Sequence, residues 1–308
     1  MALQVVQMVL PIVVVLLLGA LCRARKFFDA NGLAGLKAVV SNICLPVVLF
    51  NAFFTADYSL TVLLVFAVVY VGFALALTAG FATRKLATPY NRFYPFLLAS
   101  AEGGMLGYAL YQVLMGTSTG FATVDLGQTV FAYTGFLGML TLVDGQKVSA
   151  NKLVKNIVTN KCCIGMALGI LLGATGVGGW VLGQSWGGVV IDLISTITAP
   201  TTCLVLLVVG YELELDKKLL KPVLITVLAR LVIMAVLLGL ASFVIFSIVP
   251  FDKSLQIAPM ILYALPAPFI IPLFANVGKD GKYISTTLSV HTLCTILLFV
   301  AIAAFSLA

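Results

Sequence analysis

The chain has 308 residues, of which 62% are hydrophobic and only 9% are charged. Water-soluble domains contain about 45–50% apolar and about 25% charged residues, so this composition excludes a soluble globule, a disordered chain and a disulfide-rich secreted scaffold. The formal net charge is +7, but the basic residues lie between apolar runs. That placement relates the charge to membrane topology and anionic lipids, and nucleic acid is not an expected partner.

A membrane-spanning helix needs about 20 mainly apolar residues, and the sequence contains ten such runs, so we predict an all-α integral membrane protein. We name them spans 1 to 10; they cover residues 3–22, 33–54, 60–83, 94–115, 123–143, 157–176, 188–210, 222–249, 257–275 and 283–306. Basic residues follow span 1 and do not precede it, so we interpret it as an uncleaved span with its N-terminus outside.

The Lys and Arg residues are concentrated in alternate loops. Five loops hold 15 of the 18 Lys and Arg residues, namely 22–32, 84–92, 144–161, 211–222 and 276–282, whereas the other loops hold only Lys253. Under the positive-inside rule the basic loops are cytoplasmic. We therefore expect a multi-pass protein of the cell (inner or plasma) membrane with both termini extracellular.

The two halves of the chain carry a related pattern. Residues 40–46 of span 2 and 194–200 of span 7 share apolar-Ser-x-Ile-x-x-Pro at an offset of 154 residues. Each copy ends in a proline that is expected to break its helix, Pro46 or Pro200. An odd number of spans in each half forces opposite orientations, so the pattern predicts inverted repeats, which are typical of secondary transporters. The predicted repeats are residues 1–150 and 151–308.

Spans 4 and 9 contain residues that disfavour a helix. Span 4 carries a carboxylate followed by three glycines, Glu102, Gly103, Gly104 and Gly107. Span 9 carries two prolines within three residues, Pro266, Ala267 and Pro268. Glycine costs roughly 1 kcal/mol per position relative to alanine, and proline removes an amide donor, so both helices are predicted to break near mid-membrane. The broken ends would offer N–H groups to a carboxylate and carbonyl groups to a cation, although glycines can also serve packing and prolines can simply kink a helix.

Ionisable side chains inside the spans are candidates for substrate or ion binding. Glu102 costs several kcal/mol at this depth unless it is paired, protonated or bound to a cation such as Na+. Arg230 either extends back to the lipid headgroups or pairs with Glu102 or an anionic substrate, and His291 is either a packing residue or part of the site. Polar residues of the other spans complete the candidate set, namely Asn42, Gln128, Tyr133 and Ser289.

Enzyme chemistry is not indicated. The single histidine excludes a multi-histidine metal site, and the chain has no Walker motif. We expect no catalytic residue, no resident metal and no cofactor other than Na+ or H+ as a coupling ion.

Short motifs recur in a fixed order along the chain. They are Leu45-Pro46 in span 2; Ala199-Pro200 and Leu206-Leu207-Val208-Val209-Gly210 in span 7; and Ala264-Leu265-Pro266-Ala267, Phe274-Ala275-Asn276 and Ser289 in spans 9 and 10. On these residues the chain resembles the auxin efflux carrier family, whose fold is similar to that of the bile acid:sodium symporters. The resemblance implies a scaffold of spans 1, 2, 6 and 7, a moving unit of spans 3–5 and 8–10, and a homodimer formed through the scaffold.

The chain departs from the family in two places. Span 4 has Glu102, Gly104, Gly107 and Ala109 where the family commonly has Asn, Gly and then Gly-x-Pro, and residues 60–83 lack the charges of plant members. Auxin is therefore not the expected substrate, whereas bacterial members resemble transporters of small organic acids such as malate or malonate. The expected function is elevator-type transport of a small organic anion coupled to H+ or Na+. The alternative is a membrane receptor of the same fold that binds a small ligand or lipid without transport.

Overall fold

The computed structural model describes residues 2–55, 59–117, 119–143, 158–269, 271 and 275–307. Of these described residues, 84% are helical and none forms a strand. The predicted all-α class is confirmed at this level. Most of the predicted basic loop 144–161, and Phe274 of the family motif, lie outside the described residues.

Six helical stretches among the described residues are long and apolar enough to cross a membrane. They are Asn31–Phe54, Leu60–Ala87, Thr119–Val143, Gly187–Glu212, Lys217–Ile248 and Gly278–Ser306. Two shorter apolar helices, Val9–Ala24 and Lys161–Ala174, fall in predicted spans 1 and 6. These lengths support a multi-pass membrane protein.

The helix bounds follow the predicted spans closely. In the first half, the α-helices are Ala2–Ala24, Ala30–Val39, Leu45–Phe54, Leu60–Thr83, Tyr94–Leu98, Tyr108–Met115, Thr119–Phe131 and Leu137–Val143. Spans 2, 4 and 5 also contain π-helical turns at Val40–Cys44, Gly103–Gly107 and Ala132–Phe136. In the second half, the α-helices are Lys161–Ala174, Val177–Leu182, Gly187–Thr198, Thr201–Glu212, Leu220–Ile248, Lys253–Ala264 and Gly281–Leu307.

The helix of span 8 illustrates how the apolar sequence is used. Its buried positions recur every three or four residues, as at Val223, Val227 and Arg230, and so form one helical face. Its other faces expose large apolar side chains, with Val232 64% and Phe243 74% exposed. A surface of this kind aggregates in water but is suited to lipid tails.

Spans 1, 2, 6 and 7 pack in a reciprocal manner. Span 1 lies along the second helix of span 7, and span 6 lies along the second helix of span 2. At the first contact, a Cβ on Gly19 would overlap the Leu207 carbonyl, and one on Gly210 would overlap the Leu16 carbonyl. At the second, Gly165 lies against the Pro46 carbonyl in the same way. Small residues thus let these backbones touch, as is usual between membrane helices.

The remaining spans, 3, 4, 5, 8, 9 and 10, pack against one another. Span 3 lies along span 5, and span 8 contacts spans 3, 4, 9 and 10. The segment of span 4 before its break also packs on span 3, where a Cβ on Gly80 would lie 2.7 Å from the Pro95 Cα. This arrangement places the interrupted regions of spans 4 and 9 side by side.

The two repeat prolines differ in their effect. The helices of span 7 are separated by a turn at Ala199 and Pro200, as predicted. Span 2 does not break at Pro46, because the π-turn at residues 40–44 carries the helix into Leu45–Phe54. Proline is tolerated in the first turn of a helical segment, where its missing N–H has no intrahelical partner.

Candidate functional site

The interruptions of spans 4 and 9 are joined through Glu102. Span 4 is unwound over residues 99–102, and span 9 over residues 265–268. The Glu102 N–H donates to the Pro266 carbonyl at 3.0 Å, and its carboxylate accepts the Phe269 N–H at 2.6 Å. Backbone and side chain of one residue therefore hold the two unwound segments together, and both partner groups are backbone atoms of span 9.

The break in span 4 lies just before the glycines and not within them. Gly103, Gly104 and Gly107 belong to a π-helical turn, whereas Ser100 adopts the left-handed region with φ 59°. Such a conformation is costly for a residue other than glycine and persists only when its surroundings enforce it. The unwinding is thus set by contacts around residues 99–102, which glycine propensity alone does not predict.

Arg230 supplies the strongest of those contacts. Its guanidinium is 1% exposed and donates to the carbonyl groups of both breaks. The acceptors are Leu97 at 3.1 Å, Ala99 at 3.4 Å, Ser100 at 2.6 Å and Leu265 at 3.0 Å. Arg230 therefore does not extend to the headgroups. Its charge lies where two helical segments end in free carbonyls, the position at which a cation is favourable.

Other carbonyls at the breaks also have protein donors. The Gln128 amide donates to the Ser100 hydroxyl at 3.0 Å and to the Ala101 carbonyl at 2.5 Å. The Thr295 hydroxyl donates to the Ala264 carbonyl at 2.6 Å. Several of the backbone oxygens that the sequence offered to Na+ therefore already accept hydrogen bonds from side chains of the protein.

Asp125 is a buried carboxylate of span 5 that sequence reasoning missed. It is 1% exposed; one oxygen accepts the Thr129 hydroxyl at 3.1 Å, and the buried Tyr108 hydroxyl is the second neutral partner of the carboxylate. A Cβ at Gly103 would overlap Oδ1, so the carboxylate lies directly on the glycine turn. The signal was present, because Asp125 lies three and four residues before Gln128 and Thr129, on the polar stripe of span 5.

A cavity of about 720 Å³ lies between the paired breaks and spans 2, 6 and 7. This volume is typical of small-molecule sites. Its polar and charged lining residues are Lys37, Ser41, Asn42, Glu102, Asp125, Gln128, Thr129, Tyr133, Thr159, Asn160, Lys161, Glu212, Ser285, Ser289 and Thr292. A bound molecule would therefore contact both groups of spans at once.

The wall of the cavity contains two links between spans. Lys37 of span 2 forms an ion pair with Glu212 at the end of span 7. The Asn160 amide donates to the Tyr133 hydroxyl at 2.9 Å, and the same side chain caps the helix of span 6 by accepting the Cys163 N–H at 3.1 Å. The second link joins span 5 to span 6 at the wall of the cavity.

The structure brings about half of the predicted site residues to the cavity. Those that line it are Asn42, Glu102, Gly104, Gln128, Tyr133, Pro268 and Ser289. The others lie behind or beside it, namely Gly103, Gly107, Arg230, Pro266, Ala267 and His291, together with the repeat prolines Pro46 and Pro200. Gly107 serves packing, since a Cβ there would overlap the Phe121 ring. His291 is 2% exposed and lies on the helix of span 10.

Within the described part of the chain, no three His, Cys, Asp or Glu side chains gather as metal ligands. All six cysteines are free thiols. No protein-family model matches the chain, and no curated protein matches it.

Proposed function

We propose that the chain is a secondary transporter that moves a small organic anion across the cell membrane by alternating access. The observation that carries the proposal is the cavity of about 720 Å³ enclosed between spans 2, 6 and 7 on one side and the breaks of spans 4 and 9 on the other. A ligand held by the breaks would change its exposure if one group of spans moved past the other.

The proposed architecture is ten spans in two inverted repeats, as in the auxin efflux carrier family that the sequence resembles. The reciprocal packing of span 1 on span 7 and of span 6 on span 2 supports it, because a two-fold relation exchanges these pairs. The adjacent breaks of spans 4 and 9 support it as well. Spans 1, 2, 6 and 7 would form a dimeric scaffold in the lipid, and the other spans an elevator-like moving unit.

The cavity reaches the ends of spans that border the basic loops. Lys37, Lys161 and Leu213 line it, and each lies next to a loop that we assign to the cytoplasm. With the basic loops in the cytoplasm and both termini extracellular, this position supports an inward-facing state. Lys161 forms no ion pair with the described residues and supports an anionic substrate, because charge-assisted hydrogen bonds to an ammonium are strong.

Uptake by reconstituted vesicles tests the proposal. The purified chain is placed in liposomes, and the uptake of malate, malonate and related acids is measured with H+ or Na+ gradients. We expect saturable uptake of at least one acid. A Lys161→Gln variant is expected to raise the KM roughly tenfold, which corresponds to the loss of one charge-assisted contact, whereas Lys85→Gln, outside the cavity, leaves the KM unchanged.

The same preparation separates transport from the receptor alternative. A ligand of the native state raises the melting temperature of the protein whether or not it is carried. Thermal stabilisation by an acid without flux would therefore favour a receptor. The absence of both stabilisation and flux across the panel would contradict the proposed substrate class.

A further inference from the structure

We propose that Asp125 is the binding site of the coupling proton, an inference that rests on the proposed transport function and names its ion. Asp125 lines the cavity, yet its side chain is 1% exposed. Among the described residues, the hydrogen-bonding partners of its carboxylate are two neutral hydroxyls, those of Thr129 and of the buried Tyr108. A buried carboxylate in a membrane is stable only when it is paired, protonated or bound to a cation.

The two carboxylates beside the breaks differ in how they are satisfied. Glu102 accepts the Phe269 N–H at 2.6 Å, a backbone donor that favours an ionised carboxylate. Among the described residues, Asp125 accepts from neutral hydroxyls, that of Thr129 at 3.1 Å on Oδ2 and that of Tyr108. A proton on Oδ1 would neutralise the group without disturbing the Thr129 bond. Of the two carboxylates, Asp125 is therefore the one whose surroundings suit proton binding.

The helices around Asp125 offer it almost no positive charge. Span 3 contributes only tyrosine, Tyr70, which bonds to Thr134 at 3.2 Å. The helix Leu45–Phe54 of span 2 carries no titratable group, and the helix Lys253–Ala264 of span 9 carries Tyr263 and the exposed Lys253 at its far end.

The neighbouring turns of spans 4 to 6 contribute acids and weak acids. They are Glu102, Tyr108, Tyr111 and Tyr133, together with the thiol of Cys162. Lys37 and Lys161 line the same cavity, but neither is paired with Asp125 in the described structure. Among the described residues, the buried charge of an ionised Asp125 thus has no cation paired with it.

A sodium ion fits this place less well than a proton does. Na+ needs several oxygen ligands, and three carbonyl oxygens of the breaks, those of Ser100, Ala101 and Leu265, already accept hydrogen bonds from Arg230 and Gln128. Oδ1 also lies so close to Gly103 that a Cβ there would overlap it. A proton needs neither space nor further ligands.

Protonation of Asp125 would favour the binding of an organic anion in the cavity. With Asp125 ionised, it and Glu102 both repel an organic anion, whereas the third carboxylate of the lining, Glu212, is paired with Lys37. Water in the cavity delivers a proton to Oδ1, which converts the carboxylate into a carboxylic acid while no other bond changes, and the anion then binds. After the moving unit has shifted, the anion leaves and the proton returns to water on the other side. This order predicts symport of anion and proton.

Infrared spectroscopy tests the proton site without any substrate. The full chain in lipid nanodiscs is titrated with acid and base, and the carbonyl stretching band of a protonated carboxylic acid is followed. We expect a band that disappears as the pH rises, is missing in Asp125→Asn and persists in Glu102→Gln. A band that persists in Asp125→Asn and is missing in Glu102→Gln would overturn the proposal. The proposal would also be overturned if the wild-type protein showed no such band and Na+ raised its melting temperature.

A second measurement guards against a variant that fails to fold. Wild-type protein with 13C in the aspartate carboxyl groups should show the band at lower frequency, and protein with labelled glutamate should not. Asp125 and Asp280 are the buried aspartates among the described residues, so Asp280→Asn, which should keep the band, completes the assignment. A band that shifts only with labelled glutamate, or that Asp280→Asn removes, would contradict the proposal.

Vesicle transport then tests the coupling. In Asp125→Asn, exchange of malate or malonate should persist, while uphill uptake driven by a pH gradient should fall at least tenfold. Uphill uptake at the wild-type rate would overturn the proposal. If none of the acids is carried by the wild-type protein, the proposed transport function fails, and the infrared result still decides whether Asp125 binds a proton.

Discussion

At the scale of single residues, Arg230 determines whether spans 4 and 9 can be interrupted at all. An unsatisfied carbonyl group in a membrane interior costs several kcal/mol, and one guanidinium supplies donors to Leu97, Ala99, Ser100 and Leu265. Arginine suits this role because its planar head presents five donors in a fixed geometry and keeps its charge. The positive charge of Arg230 lies where a bound metal ion would otherwise be needed to neutralise the free carbonyl groups.

Replacing Arg230 should therefore lower the stability of the folded protein, and a loss of transport would follow from that. In Arg230→Ala the four carbonyls lose their donor, and we expect a loss of about 3–5 kcal/mol of stability, enough to prevent insertion of a folded protein. Arg230→Lys keeps the charge but cannot span both breaks, so an intermediate loss is expected. Melting temperature and size-exclusion profile in detergent measure this, with the exposed Arg25→Ala as the control. A monodisperse Arg230→Ala protein of wild-type stability would show that the guanidinium is dispensable.

Gly103 and Gly104 form a matched pair of adjacent residues. A Cβ on Gly103 would overlap the Asp125 carboxylate, whereas one on Gly104 meets nothing within 4 Å. Gly103→Ala must therefore displace Asp125 or open the junction of the breaks, with an expected cost of about 1–3 kcal/mol. Gly104→Ala should be neutral or slightly stabilising in thermal unfolding. Equal stability of the two variants would contradict the placement of Asp125 against the turn.

At the scale of elements, the prolines of span 9 keep two carbonyls free for the other span. Leu265 gives its carbonyl to Arg230, and Pro266 gives its carbonyl to the Glu102 N–H. In Pro266→Ala with Pro268→Ala, a continuing helix would use both carbonyls internally and displace these partners. We expect a folded, inserted protein whose substrate uptake falls at least tenfold, measured in vesicles.

Pro259→Ala provides the control for that double variant. Pro259 lies inside the helix Lys253–Ala264 of the same span and is also buried. Its replacement restores an ordinary helical amide far from the break, so uptake should remain near the wild-type rate. Equal uptake by the double variant and the Pro259 variant would mean that the span 9 prolines act only as kinks.

The sequence predicted the elements better than their interruptions. Span 3 was predicted at 60–83 and is helical at Leu60–Thr83, because a long apolar run in lipid has no structure available other than a helix. The break in span 9 was predicted from its prolines. The position of the break in span 4 was not, since it depends on donors of Arg230 and Gln128, which are distant in sequence. Asp125 was missed although it continues a polar stripe, because it lies near the predicted start of span 5.

At the scale of the whole molecule, the orientation follows from loop charge and can be measured by cysteine labelling. In a background without the six native cysteines, Gly179→Cys should react with an impermeant maleimide from outside intact cells, and Lys85→Cys only after the cells are opened. Both positions are exposed, and a Cβ on Gly179 meets nothing within 4 Å. The reverse pattern would invert the assignment of the basic loops and of the cavity.

Movement between the two groups of spans should be blocked by tying span 5 to span 6. The hydrogen bond from Asn160 to Tyr133, 2.9 Å long, links them at the wall of the cavity. If the moving unit slides past the scaffold, this pair must separate in every cycle. A cleavable bis-maleimide between Tyr133→Cys and Asn160→Cys, in the same cysteine-free background, should abolish uptake, and cleavage of the linker should restore it.

The matched control is a pair within the moving unit. Tyr70 of span 3 and Thr134 of span 5 are hydrogen-bonded at 3.2 Å and lie outside the cavity lining. Because both would travel together, a linker between Tyr70→Cys and Thr134→Cys should leave uptake unchanged. Comparing each variant before and after linking separates the effect of the tether from that of the substitutions. Undiminished uptake in the linked Tyr133–Asn160 variant would show that spans 5 and 6 do not move apart, and substrate would then have to cross by local gating around fixed helices.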